Sequence, residues 1–172
     1  MQLAGMVPQE VAVPEQSVLQ SSLRDAHFYD AYSVSDPHAD RSALQIWLET
    51  VSRTPAWVET AMTLRNAVVA RLGLKHLGGL SDFSATKPAA SYAVGDRVGI
   101  FTIRHLSDQE IVLGDDDKHL HVRLSLFKDA AQERVVVSTV VHIHNLLGHA
   151  YMFFVKPMHR IIAPSVLAKI KG

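Results

Sequence analysis

The chain has no cysteine. That excludes disulfides, thiolate catalysis and Cys-ligated zinc or iron–sulfur centres. It also lacks an excess of charge of either sign, since 17 Lys and Arg balance 17 Asp and Glu. A neutral chain attracts polyanions only through a concentrated basic patch. The nearest approach to one is Lys169-Ile170-Lys171, so no nucleic-acid partner is expected. Long apolar runs are missing too. The most apolar stretch, 135–155, is interrupted by Ser138, Thr139, three His and Asn145. A span needs about 20 nearly uninterrupted apolar residues, so no membrane partner is expected. The start, MQLAGMVPQEVAVPEQ, has no basic beginning and no apolar core of signal length. A cytoplasmic location is therefore expected.

What is present is an ordinary globular composition, 48% hydrophobic and 20% charged over 172 residues. One domain of that size buries roughly 70% of the surface its unfolded chain exposes. The ten His are its unusual feature. Net charge turns positive as they protonate between about pH 7 and pH 5.

Patterning divides the chain. Residues 1–16, with Pro8 and Pro14, read as an extended arm, and 17–172 as a single domain. Residues 17–23 read as a short turn or helix, and 26–34 alternate as a first strand. Leu44, Trp47, Leu48 and Val51 recur at helical spacing within 41–53. A second helix begins at Thr54-Pro55 and ends at Gly73, with Trp57, Ala61, Leu64, Val68 and Leu72 as its core stripe. Residues 77–97 read as a long loop.

From Val98 the period becomes two. Strands are expected over 98–105, 110–113, 118–128, 133–145 and 150–155, with a turn at 145–148. A final helix is expected over 157–171, restarted or kinked at Pro164. Helices early and strands late make an α+β domain with an antiparallel sheet.

The 118–145 hairpin separates two faces. Leu120, Val122, Leu124 and Leu126 form one, and His119, His121, Arg123 and Ser125 the other. With the turn near Ala131, His119 lies opposite His144 and His121 opposite His142. Four imidazoles sharing a face point to a metal such as zinc or copper. No carboxylate stands beside them in either strand, and paired strand residues rarely converge on one ion. Neither metal nor cofactor is expected. Glu110, Asp115, Asp116 and Asp117 lack calcium-loop spacing and read as a solvated hairpin end.

Arg123 can clamp a ligand carboxylate or phosphate, or cross-pair with an acidic neighbour. Arg65 is a charge in an apolar stripe and needs a partner. Tyr151 and His159 could form an acid/base pair, but no nucleophile with an orienting third group accompanies them.

A set of positions in order carries a resemblance. Asp30 and Tyr32 come first, then Trp57-Val58, Leu64-Arg65-Asn66 and Gly73-Leu74. His119-Leu120, Ser138-Thr139 and Val141 follow, then Asn145, Gly148, Tyr151, Pro157 and His159-Arg160. Over about residues 14–170 the chain resembles the bacterial domain-of-unknown-function family 2867. Some members look like stand-alone domains, and others follow an NAD(P)-binding, short-chain-dehydrogenase-like domain that is not present here. The resemblance brings no activity. It implies a helix-grip fold like that of the START and Bet v 1 proteins. There a curved antiparallel sheet wraps a C-terminal helix, and two short helices follow the first strand.

The leading expectation is a module binding an apolar or amphipathic small molecule, with His119, Arg123, Trp57, Arg65, Tyr151 and His159 as ligand contacts. An enzyme using His and Tyr as acid/base groups is the second reading. A structural domain pairing with another copy as a homodimer is the third.

Overall fold

A computed structural model describes residues 7–36, 38–73, 79 and 87–170. Among these described residues seven antiparallel strands form one sheet in the order β1-β2-β7-β6-β5-β4-β3. They are β1 (Gln9–Glu10), β2 (Phe28–Ser35), β3 (Arg97–Val98), β4 (Phe101–Leu106), β5 (Glu110–Asp116), β6 (Leu120–Asp129) and β7 (Arg134–Ile143). Among the described residues three α-helices accompany the sheet: α1 (Ala43–Ser52), α2 (Ala56–Arg71) and α3 (Leu146–Leu167). The architecture is α+β with a C-terminal helix. Because β1 precedes β2, the helix pair follows the second strand, not the first.

The hairpin has the register its alternation implies. His121 pairs with His142, and the backbone N–H of His144 donates to the carbonyl of His119 at 2.9 Å. Leu120, Val122, Leu124 and Leu126 therefore point to the inner face with Val137, Thr139 and Val141 of β7. A strand's period of two sends His121, Arg123 and Ser125 outward.

Helix α1 starts from a reciprocal cap, in which Ser42 accepts from the Gln45 N–H and the Gln45 side chain accepts from the Ser42 N–H. It buries Leu44, Ile46, Trp47 and Val51 against β5 and β6. Thr54 is spent on that helix, donating to the Val51 carbonyl at 2.6 Å, so Pro55 rather than Thr54 caps α2. Gly73 closes α2 at φ +71°, as its position implies.

The C-terminal region departs from expectation. Residues 150–155 are helical, and 145–148 form the start of α3 rather than a free turn. Asn145 takes extended backbone and accepts from the Gly148 N–H at 3.0 Å, a side-chain N-cap. The run Tyr151-Met152-Phe153-Phe154-Val155 has strand propensity, but that preference is weak and packing overrides it. Pro157 and Pro164 both lie inside the helix. Pro157 is exposed, so the carbonyl it leaves unbonded, that of Phe153, can be met by solvent.

The arm is bound to the outer face of the sheet. Gln9 and Glu10 pair with Ser33 and Tyr32, and Val13 and Leu19 pack with Ala31, Val112, Val136 and Val140. Glu110 is a further correction: it is a buried acceptor, not part of a solvated hairpin end. It receives the hydroxyls of Ser17 and Ser125, both at 2.6 Å, and the N–H of Val18 at 2.9 Å.

Candidate functional site

A cavity of about 620 Å³ lies between the inner face of the sheet and helices α2 and α3. Its floor includes Leu120, Val122, Leu124, Val137 and Val141, and its helical walls include Leu64, Val68, Val155, Met158 and Ile162. The volume is in the range of small-molecule sites, which are mostly apolar with a few placed polar groups.

The α2 stripe finds its explanation here. Ala61, Leu64, Val68 and Leu72 face this space rather than a packed core, and the last three are more than half exposed. The buried side chains of α2 are Val58, Asn66 and Val69. Trp57, expected in the core, is 44% exposed and does not line the cavity. Helical periodicity shows which side chains share a face. It does not show whether that face meets protein or empty space.

The acidic residues Asp115 and Asp117 are among the lining residues, as are Arg65, Tyr151 and His159, and two polar pairs are built from the last three. Arg65 Nε donates to the Tyr151 hydroxyl at 2.8 Å, and its guanidinium carbon lies 5.3 Å from the centre of the Tyr151 ring. Arg65 Nη1 donates to Asn66 Oδ1 at 2.8 Å. These bonds use two of five guanidinium donors. Among the described residues no carboxylate pairs with Arg65.

The second pair is His159 and Asp30. His159, two helical turns beyond Tyr151, places Nε2 3.1 Å from Asp30 Oδ1. Its ring packs edge-on against Phe28 at 5.7 Å. Asp30 is buried on β2, and its Oδ2 has no hydrogen-bond partner among the described residues. Burial raises the pKa of the neighbouring Tyr32 above its ordinary 10.0, and the charges of Asp30 and Glu10 add to the rise, against Arg160. An aspartate behind an imidazole fixes the ring's orientation. Asp30 was missed as a site residue. Its signal was a carboxylate on the apolar side of a strand, between Phe28 and Tyr32.

Of the six candidate contacts, Arg65, Tyr151 and His159 lie together on the cavity wall. Trp57, His119 and Arg123 lie elsewhere. His119 is buried where β6 meets α3, its Nδ1 within hydrogen-bond distance of the Asn145 side chain. Arg123 is on the outer face, bonded to both carboxylate oxygens of Asp116 at 2.7 and 3.1 Å.

The outer-face imidazoles are close. His121 and His142 have ring centres 5.7 Å apart, and His121 and His144 6.5 Å. Among the described residues no three His, Asp or Glu are arranged to hold a metal ion. His121 Nδ1 lies 2.7 Å from Asp116. Burial lowers the His121 pKa, and the Arg123 charge and the other two His lower it further, against Asp116. Burial pushes the Asp116 carboxyl up. The Arg123 hydrogen bond and the charges of Arg123, His121 and Arg104 outweigh it, and the pKa falls below the ordinary carboxylate value.

The sequence profile of a family of proteins of unknown function, DUF2867, matches residues 22–166. The chain belongs to the DUF2867 family. No curated protein and no solved structure matches it. The DUF2867 match takes in β2 through most of α3, and so every element that builds the cavity and both polar pairs.

Proposed function

We propose that the protein binds an amphipathic small molecule in this cavity, as a helix-grip module of the START and Bet v 1 kind working in a bacterial cytoplasm. The observation that carries the reading is the 620 Å³ space between sheet and helices, apolar along its floor and meeting an arginine at its wall. The apolar body of the ligand replaces water against Val122, Leu124 and Val141. A carboxylate or similar anion meets the remaining donors of Arg65.

Saturable binding of dansyl-labelled undecanoic acid tests this. Leu124→Trp fills the floor and is expected to abolish binding while circular dichroism is unchanged. Arg65→Met is expected to weaken binding about tenfold or more, in line with the strength of hydrogen bonds to charged groups. Arg123→Leu, on the outer face, is expected to keep affinity. No saturable binding, or full binding by Leu124→Trp, overturns the proposal.

The Asp30–His159 pair favours a second reading, an enzyme of the same fold in which His159 accepts or donates a proton. Mass spectrometry of what denaturation releases after incubation with ligand separates the two. A chemically altered ligand supports the enzyme, and unchanged ligand supports binding alone.

A further inference from the structure

Most of the large apolar side chains that are exposed among the described residues sit on the two helices that frame the cavity. Leu64 and Val68 of α2 and Met158 of α3 stand at the cavity itself. Phe154 of α3 lines it as well and is 71% exposed, and beyond the cavity α3 exposes Phe153 and Ile161, at 75% and 55%. Large apolar side chains left exposed at and beside an open apolar cavity mark an interaction site.

The charges on the same helices have one dominant sign. Arg65, Arg71, Lys156 and Arg160 stand against the single carboxylate of Glu59, and α3 contains no acidic residue. The chain as a whole is neutral. Lys156 and Arg160 are four residues apart, which puts them on one flank of α3 beside the apolar side chains.

We infer that this face docks on an anionic lipid bilayer, with Phe153, Phe154 and Ile161 entering the interface and the cations meeting lipid phosphates. Exposed aromatic and aliphatic side chains bordered by Lys and Arg are the pattern of helices that lie in such an interface. A second copy fits less well. A two-fold interface sets the same patch against itself, and here it would face cation with cation. The sequence-based expectation of no membrane partner rested on the lack of a span, and no helix among the described residues is long and apolar enough to cross a membrane. Docking needs no span. The inference rests on the binding reading only for what the bilayer supplies, an amphipathic molecule that enters the cavity from the lipid.

Vesicle flotation tests it, with the full chain and vesicles of phosphatidylcholine alone or mixed in equal parts with phosphatidylglycerol. The bound fraction is expected to be about tenfold higher on the mixed vesicles and to fall as salt is added. Phe153→Ser combined with Ile161→Ser is expected to abolish flotation without changing circular dichroism, since both side chains are exposed and outside the cavity. Arg71→Glu combined with Arg160→Glu is expected to remove the preference for phosphatidylglycerol. Absence of flotation on both compositions overturns the inference, and so does equal flotation on both. A dimer that Phe153→Ser and Ile161→Ser convert to monomer, with no flotation, assigns the face to a second copy and also overturns it. Dansyl-undecanoate uptake without vesicles is read separately. Uptake without flotation leaves the binding function standing and removes docking; flotation without uptake does the reverse.

Discussion

His159 on α3 and Asp30 on β2 are 129 positions apart in sequence, and their side chains meet at 3.1 Å. The contact ties the C-terminal helix to the inner face of the sheet. Replacing His159 with Phe leaves a buried carboxylate without its partner, which costs about 1–3 kcal/mol, more where the group stays charged. Asp30→Asn in the same background is expected to recover part of that loss. Urea unfolding of the two single variants and the double variant checks it, because an additive double variant means that the groups do not interact.

Stability depends on pH through the outer face. The Asp116 pKa is depressed, so its contribution is present above the unfolded-state pKa and is lost as pH falls through the folded value. His121 is a base whose pKa is also lowered, so the folded state disfavours its protonation. Below its ordinary value of 6.5 the unfolded chain takes up that proton first, and stability declines as pH falls. Both groups therefore act in the same direction. Unfolding followed from about pH 7.5 to pH 5 is expected to show this decline, and His121→Gln is expected to flatten its upper part. An unchanged slope in the variant assigns the decline to other groups.

Gly148 sits where α3 begins against the end of β7 and the start of β6. A Cβ there would lie 2.5 Å from the His119 carbonyl oxygen and 2.9 Å from Ile143 Cγ2. Backbone cannot swing aside as a side-chain tip can. Gly148→Ala is expected to destabilise the protein by about 1–3 kcal/mol, as overpacking does. Because α3 forms one wall of the cavity, probe affinity is expected to fall as well. A variant with unchanged thermal unfolding would mean that the helix start shifts freely.

Glu110 anchors the arm through Ser17 and Val18. Glu110→Ala removes the acceptor for three donors. Hydrogen exchange in residues 13–22 is expected to rise sharply, while β6 and β7 keep their protection. Equal loss of protection across β6 and β7 would show that the arm and the sheet unfold together.

Much of the fold is legible in the chain. The alternation from Leu120 to Leu126, matched by that from Val137 to Ile143, fixes which side chains share a face and which residues pair. The stripe on α1 identifies its buried side. Residues 150–155 were not legible, because Tyr151 to Val155 suit a strand locally, and the Asn145 cap and packing against the sheet decide for a helix. Of the cavity's polar groups, the charged Arg65 in an apolar stripe and the pairing of Tyr151 with His159 could be read from the chain. Asp30 stands out in the chain as a carboxylate between Phe28 and Tyr32 on an apolar face, but its pairing could not be read, since its partner lies on a distant helix.

The sequence by itself determined the α+β class, the hairpin register and the two faces of the hairpin, because period and turn chemistry act between near neighbours. Only the tertiary structure decided which face encloses the cavity, that Arg123 pairs with Asp116 on the outside, and that apolar side chains of α2 and α3 stay exposed at and beside the cavity. Each of these depends on which elements meet across the fold, and that is set by packing of the whole chain rather than by local pattern.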